Sequence, residues 1–440
     1  MSPAEGHGAP LEALPLDEYE EIVIFDEWRT LRHVSSRSLA RTRALLQVLG
    51  YDPAHLGHHT LGVVGSKGKG TAAAYASATL AGVGHRVGTV MSPGVLSNAD
   101  RIRIDGVVID DSTRRRALRR IQWARERLPQ ASAASGYLAP TGLFMVMAML
   151  VFAEAGVDVV VAEAGIGGAS DDLSHWRLDA VAVTAVFGEH LDLLGPTLTD
   201  VAADKAAVVT DDTQFCLTGA QAPEPAEVLR QRCAVTGTPL LGPDERAAQL
   251  AAHLPAGLQR DNAAVGIAAG LGLHARLMSP ASEESHESGL HGAGLYGAGL
   301  KQAVASVNYP GRMSVHTTPA GRQCVVDSAV SGPGLAAALA FAHARMQTVD
   351  QVLVCLPPDK DLTGFIAELE NFAGRRVFVE LPEAYTGMPD RSGWPWEWLP
   401  QESLAELLDA GNSLVVGTVL YTSLVLRTLG ADADRLFTLP

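Results

Sequence analysis

The chain has 440 residues, with 49 acidic against 34 basic side chains and a formal net charge of −15 at neutral pH. That balance argues against nucleic acid and anionic membranes as partners, since both are polyanions. No apolar run reaches the roughly 18 residues of a membrane span, and Met1 to Pro15 lacks the charged-then-apolar order of a secretory leader, so a cytoplasmic protein is expected. Cys216, Cys233, Cys324 and Cys355 are scattered without a C-x-x-C pair, which favours reduced structural thiols over a metal site.

The first strong element is the apolar run Leu61–Val64, which leads into Gly65-Ser66-Lys67-Gly68-Lys69-Gly70-Thr71. The stretch Thr71–Ala81, rich in alanine, predicts a helix ending near Gly82 and Gly84. Strand, glycine-rich turn and helix together point backbone N–H groups and a helix N-terminus at one spot, which suits phosphate. Lys69 can add a point charge and the Thr71 hydroxyl suits a magnesium ion. Because Gly70 separates Lys69 from Thr71, the spacing departs from the strict G-x-x-x-x-G-K-[ST]; a purely structural turn stays open on this stretch alone.

Further apolar runs follow at Val87–Met91, Val157–Ala162, Ala180–Val186 and Gln214–Leu217, separated by helical stretches. This alternation predicts an α/β fold with a mostly parallel sheet buried on both faces. The run Val157–Ala162 delivers Glu163 at its carboxyl end and the run Ala180–Val186 delivers Phe187-Gly188-Glu189-His190. Ligands of open α/β sheets sit at those ends, so Glu163 is a candidate magnesium ligand and His190 a candidate site residue. Arg114-Arg115-Arg116 with Arg119-Arg120 read as a solvated helix face, and Lys205, by its local pattern, as a solvated helix lysine.

Ser279 to Gly299 is rich in Gly, Ser and His and reads as a flexible insertion. Asn308-Tyr309-Pro310-Gly311 reads as an interdomain hinge turn. A second α/β pattern then begins, with strands Gln323–Asp327, Gln351–Leu356, Arg376–Val379 and Ser413–Val416 and a helix over Gly334–Arg345. The expected division is an ATP-binding domain over 1–305 and a smaller Rossmann-like α/β domain over 306–440. Asp359 and Lys360 follow a strand end and are candidate substrate contacts. Trp394, Trp396 and Trp398 form an aromatic patch on an irregular segment, expected to be packing.

Several of these stretches, with Ser92-Pro93, Asp100-Arg101-Ile102-Arg103-Ile104, Glu163-Ala164-Gly165-Ile166-Gly167-Gly168, His190-Leu191-Asp192-Leu193-Leu194-Gly195, Asp204-Lys205-Ala206, Gln259-Arg260-Asp261-Asn262-Ala263 and Pro310-Gly311-Arg312, occur in the order and spacing of the folylpolyglutamate synthases. The chain thus resembles that group of the Mur ligase superfamily over nearly its whole length. The resemblance implies ATP and Mg2+, with a P-loop Mur-ligase-type central domain and Gly65 to Thr71 around the phosphates. It further implies Asn262 near the base, and Arg312 and Asp327 reaching back to phosphates and ribose. A second magnesium ion would lie between Glu163 and His190, with Lys205 carbamylated as a further ligand. Lys69, His190, Lys205 and Arg312 become the implied catalytic set, with Ser92 and Thr418 near substrates. The partners are then a small carboxylate and an amine, and the protein a monomer or small homo-oligomer.

The chain also departs from that group. Its second-domain motif reads Asp327-Ser328-Ala329-Val330-Ser331-Gly332 where the group has Asp-Gly-Ala-His-Asn-Pro, and Val330 can neither hydrogen-bond nor carry charge. Thr141-Gly142-Leu143-Phe144 replaces Thr-Phe-Phe-Glu. Such losses at the substrates lead to the expectation of an ATP-dependent carboxylate–amine ligase, working through an acyl phosphate and recruited to another small-metabolite biosynthesis. The alternatives are a genuine folylpolyglutamate or dihydrofolate synthase, and a catalytically degenerate nucleotide-binding partner protein.

Overall fold

A computed structural model of the chain describes residues 11–53, 57–278, 297–381 and 387–440. The insertion expected over 279–299 falls outside them except for its last three residues. The first sheet holds β1 (His59–Val64), β2 (Val87–Val90), β3 (Ile102–Ile104), β4 (Val107–Val108), β5 (Val159–Glu163), β6 (Ala180–Val183), β7 (Phe215–Thr218) and β8 (Leu240–Leu241). Their order across the sheet is β4-β3-β2-β5-β1-β6-β7-β8. β1 lies between β5 and β6, parallel to both, while β3 and β4 form an antiparallel edge on β2. The central strands are built from Val, Ala and Leu and bury both faces, which is why they read as continuous apolar runs.

The second sheet holds β9 (Ser314–Thr317), β10 (Gln323–Asp327), β11 (Gln351–Cys355), β12 (Arg375–Glu380), β13 (Glu397–Pro400) and β14 (Ser413–Gly417), in the order β13-β12-β11-β14-β10-β9. All neighbours are parallel except β9 on β10. The tryptophan patch is packing: Trp394 and Trp396 lie on irregular backbone as expected, while Trp398 lies on β13 and stacks on Phe378 of β12, with ring centroids 4.1 Å apart. All four cysteines are buried and unpaired. Among the described residues no helix is long and apolar enough to cross a membrane.

The arginine run is not a solvated face throughout. Arg114 is buried, donating from Nε to Glu20 at 2.6 Å and from Nη2 to Asp17 at 2.9 Å. It thereby fastens helix Asp111–Arg125 to helix Leu16–Leu31.

Two connections join the sheets besides the linker. In helix Val419–Thr428, Ser423 Oγ donates to the carbonyl of Val95 and Arg427 Nη2 to that of Leu96 at 2.6 Å. Beyond that helix the chain returns to the first sheet's antiparallel edge. Val108 N–H donates to Asp434 O at 2.9 Å and Leu436 N–H to Gly106 O at 2.7 Å, while Arg103 Nη2 reaches Ala433 O at 2.8 Å. Leu436 and Phe437 are fully buried there. Asn308 N–H, in the linker, donates to Leu436 O at 2.8 Å. The expected hinge turn is correspondingly less free than its composition suggests, with Tyr309 and Pro310 buried.

Candidate active site

The carboxyl ends of β1, β5 and β6 open into a cleft of about 550 Å³ whose far wall comes from the second sheet. Parallel strands put their loops at one end, which is why residues far apart in sequence meet here. From the first unit the lining includes Ser66 to Thr71, Ser92, Glu163, Glu189, His190 and Asn262; from the linker and second unit come Arg312, Asp327, Val330, Ser331, Asp359 and Lys360. Gly65 and Lys205 lie directly behind the loop. Thr418 is not on the lining: its hydroxyl caps helix Val419–Thr428 by accepting Tyr421 N–H, and its neighbour Val419 faces the cleft instead.

The loop from Gly65 to Gly68 is shaped by backbone that other residues resist. Gly65 has φ 139° and Gly68 φ 87°, and helix Lys69–Gly82 starts immediately after, with Gly68 as its cap. A Cβ on Gly68 would lie 2.0 Å from Asn262 Nδ2. Ser66 N–H donates to Ala185 O at 3.0 Å and Ser66 Oγ to Phe187 O at 2.9 Å, which pins the loop to the end of β6. The helix N-terminus is therefore presented bare to the cleft, the arrangement that favours an anion. Tyr309 backs the same helix: a Cβ on Gly70 would come within 2.7 Å of its ring.

Positive charge converges on the loop. Lys69 Nζ donates to Gly65 O at 3.1 Å, and Lys205 Nζ donates to the same oxygen at 2.9 Å. Lys205 is only 1 % exposed, so the solvated reading of its local pattern does not hold. Burial pushes its pKa down, against which the Glu189 carboxylate, 3.0 Å away, holds the charge. Glu189, beside His190 in sequence, is the lysine's partner, and its position at the same strand end is the signal in the sequence that points to it. His190 has a left-handed backbone at φ 48°, and burial lowers its pKa, with Glu189 opposing and Lys360, Lys205 and Lys69 adding to the fall.

Glu163 is buried at the end of β5, where burial raises its carboxyl pKa and the Lys69 charge chiefly draws it back. It accepts Ser92 N–H at 3.1 Å, and Ser92 Oγ accepts Arg101 Nη1 at 3.1 Å. Arg101 lies over the Phe144 ring at 4.4 Å. On the far wall Lys360 pairs with Asp359 at 2.9 Å. Asp327 is buried with Oδ2 accepting Met313 N–H at 3.0 Å, while Oδ1 has no hydrogen-bond partner. Gln259 Nε2 donates to Arg312 O at 3.1 Å, tying the Asn262 helix to the linker.

The donor set fits a nucleoside polyphosphate: a bare helix N-terminus, a loop of N–H groups, and the cations Lys69 and Arg312 on the cleft. Among the described residues no group of three His, Cys, Asp or Glu is close enough to hold a metal unaided. Thr71, Glu163 and His190 on one lining fit magnesium of the kind that takes one or two protein groups and completes its shell with phosphate oxygens and water. An unmodified Lys205 is a cation and would not be among the ligands.

No family model matches the chain. Its sequence is 27% identical over 412 residues to the dihydrofolate synthase/folylpolyglutamate synthase of Mycobacterium tuberculosis, covering 86% of this chain and 82% of that protein. The corresponding Bacillus subtilis protein is 28% identical over 195 residues, 44% of each chain. In structure the chain is similar to the Mycobacterium tuberculosis folylpolyglutamate synthase complexed with ADP and AMPPCP, with a TM-score of 0.75, 19% identity, and coverage of 94% of this chain and 99% of that one. A folylpolyglutamate synthase complexed with AMPPCP and folate gives a TM-score of 0.71 at 22% identity, covering 92% and 99%. These relatives carry the names of folate enzymes, so the expectation of a ligase recruited to another metabolite is less well supported than its folate alternative. Similar in sequence along most of its length and sharing the fold of these structures, with two α/β sheets, the chain is a homologue of the folylpolyglutamate synthases.

Proposed function

We propose that the chain is an ATP-dependent carboxylate–amine ligase of the folylpolyglutamate or dihydrofolate synthase type, adding glutamate to a pterin-bearing carboxylate. The observation that carries this reading is the meeting of the Gly65–Thr71 loop with Arg312 and Asp327 across one cleft. ATP binds with its phosphates on the loop, Asn262 towards the base and Asp327 towards the ribose. Lys69 and Arg312 stand where charge develops as a substrate carboxylate takes the γ-phosphoryl group, giving an acyl phosphate and ADP. An amine then attacks the acyl carbon and phosphate leaves. The far wall excludes water from the acyl phosphate, which would otherwise hydrolyse. Thr71 would hold a magnesium ion at the phosphates, and Glu163 with His190 a second one; bound there, magnesium would neutralise charge on the phosphates. Lys205 Nζ donates to the loop carbonyl of Gly65 and to the Glu189 carboxylate beside His190; carbamylation of Lys205 stays part of the proposal as an added ligand.

Val330 on the cleft wall favours one second reading, a ligase of the same chemistry with a different amine. A wall without a hydrogen-bonding side chain there selects differently among acceptors. Product mass spectrometry with coupled ADP release separates the two. With ATP, magnesium, glutamate, and dihydropteroate or tetrahydrofolate, a mass gain of one glutamate is expected. ADP appearing only with another carboxylate–amine pair would favour the second reading, and the absence of ADP with every pair would leave a binding protein.

A further inference from the structure

The phosphate loop carries two lysines that go separate ways. Lys69 Nζ turns back onto Gly65 O. Lys67 Nζ instead reaches the second unit and lies against helix Gly332–Arg345, so closely that a Cβ on Gly334 would come within 2.3 Å of it. On the same wall stands Asp327 with its unpartnered Oδ1. The Asp327 charge attracts the Lys67 ammonium, Arg312 repels it, and burial lowers its pKa. A cation on one unit is thus held in the field of a carboxylate on the other.

Gly334 supplies an independent observation. It is the third residue of its helix and lies outside the left-handed region, so backbone conformation does not call for glycine there. A Cβ would meet Lys67 Nζ first, at 2.3 Å, with Ala329 Cβ and Ser331 Oγ next at 3.2 Å.

We propose that Lys67 is a positioning residue: its ammonium seats in the notch at Gly334 and aligns the Asp327 wall with the phosphate loop, so that a nucleotide meets both walls in register. The inference rests on the nucleotide-binding reading above. It is tested by a thermodynamic cycle of wild type, Lys67→Ala, Gly334→Ala and the double variant. The readouts are the Kd of a non-hydrolysable ATP analogue by calorimetry, KM and kcat for ADP formation, and the melting temperature. Each single change is expected to raise Kd about tenfold, KM rising more than kcat falls, with the double variant no weaker than Lys67→Ala alone. In the Lys67→Ala background Gly334→Ala should lower the melting temperature less than it does in the wild type, because the 2.3 Å clash is gone and only the 3.2 Å contacts with Ala329 and Ser331 remain. Equal effects of Gly334→Ala in both backgrounds, or an unchanged Kd in Lys67→Ala, would overturn the proposal. If the wild type binds no nucleotide, the function proposed above fails, and the melting cycle alone decides: a loss from Gly334→Ala that is smaller with Lys67→Ala supports the notch, and an equal loss refutes it.

Discussion

Gly68 shows how a single side chain would disturb both fold and site. Its left-handed backbone costs a residue other than glycine about 1–2 kcal/mol, and a Cβ there would also strike Asn262. Gly68→Ala is expected to lower the melting temperature modestly and weaken nucleotide binding by more than the stability loss alone implies. Calorimetry on the folded variant checks this. Asp172 shows a different effect. Buried beside Asp171 and pressed against Gly142, its carboxyl is pushed up from 3.8 to about 6, chiefly by burial. The folded state therefore keeps this proton after the unfolded chain has lost it. The stabilisation is full below about pH 4 and is lost as pH rises towards 6. Over that window the carboxyl contributes a fall of about 2–3 kcal/mol. Asp172→Asn should flatten that part of a urea-derived stability profile; an unchanged slope would assign the fall to other groups.

Elements were legible where their physics is local. β1, β5 and β6 are apolar runs flanked by turn residues, and the observed strands start or stop within a few residues of those runs. The loop and its helix were legible because glycine spacing and alanine content act within the segment itself. β3, β4, β9 and β13 were not, because each is only two to four residues long, too short to show a period of its own, and is fixed by pairing with a neighbouring strand. Arg114 escaped for the same reason: nothing in helix Asp111–Arg125 announces Glu20 across the interface. That pair is almost fully buried, so removing one partner strands the other. Arg114→Ala is expected to destabilise the fold by about 3–5 kcal/mol, and Arg114→Met with Glu20→Leu should recover much of it. Urea unfolding of both variants decides. At the site, the strand-end placement of Glu163 and His190 was readable, whereas the burial of Lys205 depends on Glu189 and on the fold around Gly65.

At the scale of the molecule, the two sheets are joined by more than the linker. The segment after helix Val419–Thr428 inserts Leu436 and Phe437 into the first unit beside Gly106. Phe437→Ala is expected to cost about 3–5 kcal/mol. It should also loosen the relative placement of the sheets, which small-angle scattering would register as a broader particle. A variant with normal scattering and unchanged stability would make the tail a passive covering.

The bond between Asn308 and Leu436 has a mechanical meaning. The polypeptide enters the second sheet's unit at one of these residues and leaves it at the other, so both covalent crossings lie side by side. With helix Val419–Thr428 also bonded to the carbonyls of Val95 and Leu96, the second unit is held by more than its two chain crossings. The separation between labels on the two rims of the cleft is then expected to be narrowly distributed, and cutting the Ser423 and Arg427 bonds should broaden it.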